Sequence, residues 1–212
     1  MTSMFVYRCE RLDYLKRHVL RKDLSVLDLG CAAGNPLRLI SNELVRLGGY
    51  GNLTGIELVP GWVSAGNQAL ENFAKIVEGD VTKFSLGSPL PQYDLVMMND
   101  VMEHIMTNRY ACLFRSIAMH AMKPGTFIYF HIPSPLTQLY DTGQYFENVV
   151  PPHVIIDGLA TFGYEIYDFE QDVDTLIRGK TVRNQAGSSK YIHMLFKKST
   201  TFKVFSSSQK EH

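Results

Sequence analysis

The chain has 212 residues, 45% apolar and 20% charged, a composition that suits one globular domain with a core of its own. Its 21 basic residues are matched by 21 acidic ones, which excludes the overall basic excess on which most nucleic-acid binders rely, so no nucleic-acid partner is expected. Cys9, Cys31 and Cys112 form no CxxC pair, which speaks against structural zinc and a disulfide framework.

Charges enter MTSMFVYRCERLDYLKR too early for a signal peptide, and no apolar run reaches membrane-spanning length. A cytoplasmic, unanchored protein is expected, as a monomer or homodimer. Phe5, Cys9, Leu12, Leu15 and Val19 recur at near-helical spacing, predicting an amphipathic helix over 5–21. A buried strand follows over 25–29. Leu37, Ile40, Leu44 and Leu47 then mark one helical face, stopped at Gly48-Gly49. Further strands are predicted over 52–57, 75–78, 93–98 and 126–132. Helices are predicted over 61–73, through Leu113, Phe114, Ile117, Ala118 and Ala121, and within 151–162.

The last two strands, 164–169 and 191–196, have no helical pattern between them and should pair antiparallel. Alternating strands and helices imply a mainly parallel sheet covered on both faces. Three parts are expected: residues 1–23 as an N-terminal helix or lid, 24–198 as the catalytic domain, and 199–212 as a flexible tail. The connection over 170–189 is long enough to carry function.

VLDLGCAAGNP, residues 26–36, places a Gly-rich loop between the first strand and a helix. It lacks the Lys and Ser/Thr of a P-loop and fails the GxGxxG dinucleotide pattern. Asp28 precedes the loop, Glu57 closes the second strand and Asp80 follows the third. Acids at three successive strand ends suit a nucleoside with free ribose hydroxyls and a cationic tail, not a pyrophosphate.

VLDLGCAAG, TGIEL, VEGDV and YDLVMMNDVMEHI, in this order, resemble the successive motifs of class I S-adenosylmethionine-dependent methyltransferases. The resemblance covers about residues 24–197. It implies a Rossmann-like α/β fold: a seven-stranded, mostly parallel sheet with an antiparallel last strand and helices on both faces. It also implies S-adenosylmethionine as cofactor. Asp28 and the backbone of Gly30, Cys31, Ala32 and Gly34 would surround the methionine part. Glu57, with Leu58 beside it, would bind the ribose. Asp80 would take the adenine amino group, Val81 would flank the ring, and Asn99 would meet the methionine amino group through its backbone carbonyl, with Asp100 also among the cofactor-binding residues. Ala32 departs from the family, which more often has Gly there.

The methyl acceptor is expected beyond the fourth and fifth strands, near Asp100, Glu103, His104, His131, Tyr140, Tyr145 and His153. His104, Glu103, His153 and Tyr145 are the catalytic candidates, with His104 as general base. His131 reads best as a satisfied core histidine, and Tyr7 and Tyr14 as packing, although both tyrosines could cover the cofactor. Arg178, Lys180 and Arg183 read as a solvated run.

DxxEH also resembles the ExxEH of two metal-dependent branches, the ubiquinone-pathway O-methyltransferases and the small-RNA 2′-O-methyltransferases. A divalent metal on Asp100, Glu103, His104 and His153 follows from that resemblance, but it is not favoured, since Asp100 is one methylene shorter. The expected reaction is methyl transfer to an O or N atom of a small-molecule acceptor. The alternatives are metal-assisted O-methylation (of the ubiquinone-pathway or RNA 2′-O type), an RNA methyltransferase acting on ends or loops, and a noncatalytic cofactor-binding subunit; the intact Asp28, Glu57 and Asp80 count against the last.

Overall fold

A computed structural model of the chain describes residues 3–83, 91–121, 123–135, 148–171 and 191–199, the side chains of 3–10 and 171 excepted. Tyr140, Tyr145, Arg178, Lys180, Arg183, most of the 170–189 connection and residues 200–212 lie outside the described residues, as does the side chain of Tyr7.

Seven strands form one sheet: β1 (Val26–Leu29), β2 (Leu53–Glu57), β3 (Lys75–Glu78), β4 (Leu95–Asn99), β5 (Phe127–Pro133), β6 (Tyr164–Gln171) and β7 (Tyr191–Lys198). Their order is β3-β2-β1-β4-β5-β7-β6. β1 to β5 run parallel, and β7 is antiparallel to both β5 and β6. The helices are α1 (Ser3–His18), α2 (Asn35–Arg46), α3 (Pro60–Leu70), α4 (Tyr110–His120) and α5 (Pro152–Ala160). This is the Rossmann-like arrangement expected from the sequence. α3 stops three residues short of its predicted end because Glu71 turns into positive φ (41°).

Alternation along β5 and β7 divides the core between two faces. Ile128, Phe130, Ile132, Met194 and Phe196 pack with Leu113 and Ile117 of α4 and with Ile155 and Leu159 of α5. On the other face, Met97, Tyr129 and Leu195 pack with Tyr14, Leu15 and Val19 of α1 and its continuation, and with Leu37, Ile40 and Leu44 of α2. Each such buried side chain contributes about 1.5–3 kcal/mol relative to exposure. Successive strands step away from β1 to one side and then, from β4, to the other. The crevice that matters in such a sheet lies at that reversal, above the carboxyl ends of β1 and β4.

The opposite ends of these two strands are pinned by Asp94. Its carboxylate accepts the Ser25 N–H (2.9 Å) and Ser25 O–H (2.7 Å), and Lys123 Nζ lies 2.5 Å from it. Burial works against this charge, but Lys123 and the Ser25 donors outweigh it and hold the carboxyl below its usual range. Stability from this charge is therefore complete above the unfolded carboxyl's pKa, near 4, and is lost as pH falls through the lower folded value. Asp94→Ala is expected to lower the unfolding free energy at pH 7 by roughly 1.5–3 kcal/mol in urea titrations. The gap should shrink when the titrations are repeated below pH 4.

Candidate active site

The loop from Gly30 to Gly34 turns on three left-handed residues, Gly30 (φ 73°), Ala32 (φ 48°) and Gly34 (φ 75°). A Cβ on Gly30 would stand 2.4 Å from the Val101 side chain, and one on Gly34 would stand 2.4 Å from Leu70. Both glycines are required by space as well as by conformation. Ala32 occupies a conformation that costs an L-residue roughly 1–2 kcal/mol, which is why a glycine is the more usual solution there. Cys31 is buried with its thiol over Gly55, where a Cβ would come within 2.3 Å of Sγ. Burial, then the nearby Asp28 and Glu57, push this thiol well above its ordinary pKa, so it stays protonated and inert.

Glu57 ties the loop to β2. Its two carboxylate oxygens accept the Ala32 and Val59 N–H groups, each at 2.9 Å, while Ile56 O accepts from Gly30 N–H and Cys31 N–H. Each carboxylate oxygen keeps a lone pair for a further donor. Leu58 is exposed beside it. Asp28 is buried on β1, with one oxygen accepting from Asn99 Nδ2 (3.3 Å) and the other, Oδ2, without any partner. Burial raises its pKa to about 7, against the opposing Asn99 hydrogen bond and Arg11 charge. Asp80 caps its own turn by accepting the Thr82 N–H and O–H, with Arg109 at 3.2 Å. These partners outweigh its burial and hold its carboxyl low. Val81 is half-buried against the core.

Beyond β4 the chain turns at Asp100, a non-glycine residue at φ 54°. Arg11 of α1 donates to Asp100 Oδ2 (2.6 Å), and His131 Nδ1 lies 2.8 Å from Oδ1. Burial opposes the charge of Asp100, but His131 and Arg11 overcome it and lower its pKa. His131 is indeed a buried, partnered histidine: its ring stacks on Tyr191 at 4.2 Å, and burial lowers its pKa against the raising effect of Asp100. Glu103 is fully buried in the turn Met102–His104, and neither carboxyl oxygen has a partner. Burial, reinforced by Asp100, pushes its pKa up to about 8.

His104 and His153 are exposed on separate elements. Among the described residues, no group of three or more His, Cys, Asp and Glu side chains is arranged to hold a metal ion. The DxxEH spacing therefore does not become a ligand cluster here: Glu103 turns inward while His104 faces out. Tyr14 is buried and donates to Asp168 (2.7 Å), anchoring α1 on β6. Arg11 is the site residue that sequence reasoning missed. Its partner lies far along the chain, and only the docking of α1 brings them together.

The sequence model of the family described as a methyltransferase domain matches residues 5–207. The chain belongs to that family. The S-adenosylmethionine-dependent, class I character expected from its motifs stands with that membership. Similar solved structures include an S-adenosylmethionine-dependent methyltransferase from Clostridium acetobutylicum, with a TM-score of 0.67 and 14% identity over 91% of this chain and 90% of that one. An N-methyltransferase from Bradyrhizobium japonicum is 17% identical at a TM-score of 0.65, over 91% of this chain and 96% of that one. A magnesium protoporphyrin IX methyltransferase from Synechocystis, with S-adenosylhomocysteine bound, is 16% identical at a TM-score of 0.65, over 91% and 82%. No curated protein matches the chain in sequence. Among the described residues, no helix is long and apolar enough to cross a membrane.

A buried acid whose pKa is raised on folding favours the folded state in its protonated form, so its contribution to stability falls as pH climbs from about 4 to about 7 and stays low above. Asp28→Asn should therefore stabilise the ligand-free enzyme at pH 8 by roughly 1–3 kcal/mol and have little effect near pH 4. Thermal melts of both proteins at the two pH values check this.

Proposed function

We propose that the enzyme transfers the methyl group of S-adenosylmethionine to an oxygen or nitrogen atom of a small-molecule acceptor at the β1/β4 crevice. The observation that carries the reading is the partnerless Asp28 Oδ2 directly before a loop that turns on left-handed residues. A buried acid oxygen of this kind wants a cation, and the cofactor's methionine ammonium is one. Asn99, already bonded to Asp28, would complete that end with its backbone carbonyl.

The loop backbone from Gly30 to Gly34 and the N-terminus of α2 would meet the methionine carboxylate, with Arg11 within electrostatic reach of Asp28. Glu57 has the lone pairs for the ribose hydroxyls. Asp80 and Val81, beyond β3, would meet the adenine. When bound, the cofactor supplies an electrophilic methyl group on a sulfonium.

The chain's own part is alignment and exclusion of water, the main requirements of an in-line displacement. Asp100 and Glu103 would face the acceptor beyond β4, with His104 and His153 nearer the surface. Arg11 of α1 and Asp100 of the β4 turn, paired with each other, are both partly exposed on the acceptor side. One buried and one exposed free thiol, Cys31 and Cys112, suit a reducing compartment and so the cytoplasm.

Calorimetry with S-adenosylhomocysteine tests this. The wild type should bind it, and Glu57→Gln should weaken binding tenfold or more, since a hydrogen bond to a charged group contributes about 1.5–3 kcal/mol. An analogue lacking both ribose hydroxyls should bind the two proteins equally weakly. Equal wild-type affinity for both ligands would contradict the assignment.

A further inference from the structure

The described residues hold four buried side-chain N and O atoms without partners: Arg11 Nε, Asp28 Oδ2, and Glu103 Oε1 and Oε2. They come from three separate elements that meet at the end of β4: Arg11 donates to Asp100 (2.6 Å), Asp28 accepts from the adjacent Asn99 (3.3 Å), and Glu103 lies in the turn three residues after Asp100. Binding the cofactor would use Asp28. Asp100 is already committed to Arg11 and His131. Glu103 is left over.

Its turn is built with care. Tyr110 donates its hydroxyl to Met102 O (3.2 Å), Asn148 N–H to Glu103 O (3.1 Å) and Asn148 Nδ2 to Ile105 O (2.6 Å). The backbone is clamped from two elements, yet the carboxyl it presents touches no donor. A group so fixed, fully buried and unsatisfied is placed for a ligand.

We propose that this ligand is the acceptor itself, an amine that enters as an ammonium and passes its proton to the Glu103 carboxylate; the proposal rests on the methyltransferase reading above. The freed nitrogen lone pair then attacks, the N–CH3 bond forming as the cofactor's S–CH3 bond breaks to leave neutral S-adenosylhomocysteine. The charge balance selects the class. Asp28, Asp100 and Glu103 are three acids around one guanidinium, and that guanidinium is already paired. A phenolate, carboxylate or phosphate here would meet like charges in a desolvated setting, while an ammonium meets an unpaired carboxylate. Glu103 keeps its proton at neutral pH while unpaired, and an ammonium draws it into the ionised form where a neutral hydroxyl does not.

The test uses full-length protein saturated with S-adenosylhomocysteine and three probes of similar shape: tert-butylammonium, tert-butanol and pivalate. Saturable binding of tert-butylammonium is expected, at least tenfold tighter than tert-butanol, with pivalate weakest. Glu103→Gln should remove the preference for the ammonium while leaving affinity for S-adenosylhomocysteine within about twofold. Carboxyl carbon resonances of glutamate, with Glu103 identified by its loss in Glu103→Gln, should shift with the ammonium alone. Alcohol or pivalate binding as tightly as the ammonium in the wild type would overturn the proposal, whatever the variant does. An ammonium preference that survives Glu103→Gln would overturn it too, as would saturable binding of none of the three. Failure to bind S-adenosylhomocysteine at all would instead defeat the underlying methyltransferase reading.

Discussion

Burying carboxyl oxygens without partners costs folding free energy, and this protein does so at Asp28 Oδ2 and at both oxygens of Glu103. The surrounding structure has to be stable enough to tolerate that cost. Two apolar layers supply the margin, one under α4 and α5 and the other under α1 and α2. At the amino ends of β1 and β4, polar groups are fully used, as the Asp94 cluster illustrates. At the carboxyl ends they are left partly unused. One pair of strands thus has a satisfied end that stabilises and an unsatisfied end where the cofactor is proposed to bind.

The backbone follows the same division. Strained or glycine-dependent conformations gather where the ligand is expected, at Gly30, Ala32, Gly34 and Asp100. Three of them are held by hydrogen bonds from neighbouring strands, Gly30 to Ile56, Ala32 to Glu57 and Asp100 to the His131 carbonyl, while Gly34 N–H donates to Cys31 O within the loop. Glu57 links the two aspects, because the carboxylate that fixes the loop is also the one with capacity for a sugar diol.

Much of this was legible from the sequence. Element order followed from hydrophobic periodicity and from the Gly and Pro stops, and the antiparallel end of the sheet from the missing crossover helix. The acids at strand ends stood out because an isolated carboxylate after an apolar run demands a reason. What the sequence hid was long-range. Nothing local marks Arg11 as the partner of Asp100, since a basic residue on an amphipathic helix is ordinarily solvated. DxxEH suggested a shared ligand set, but the turn Met102–His104 sends Glu103 inward and His104 outward. His131 was placed correctly as buried, and its aspartate partner became visible only with the β4–β5 register.

The most direct test of the central claim, that the unsatisfied groups at the β1 and β4 ends form the cofactor site, is a crystal structure with S-adenosylhomocysteine bound. The account predicts the methionine ammonium against Asp28 Oδ2 and the ribose hydroxyls on Glu57. Ligand bound elsewhere, with Asp28 Oδ2 still lacking a partner, would contradict it.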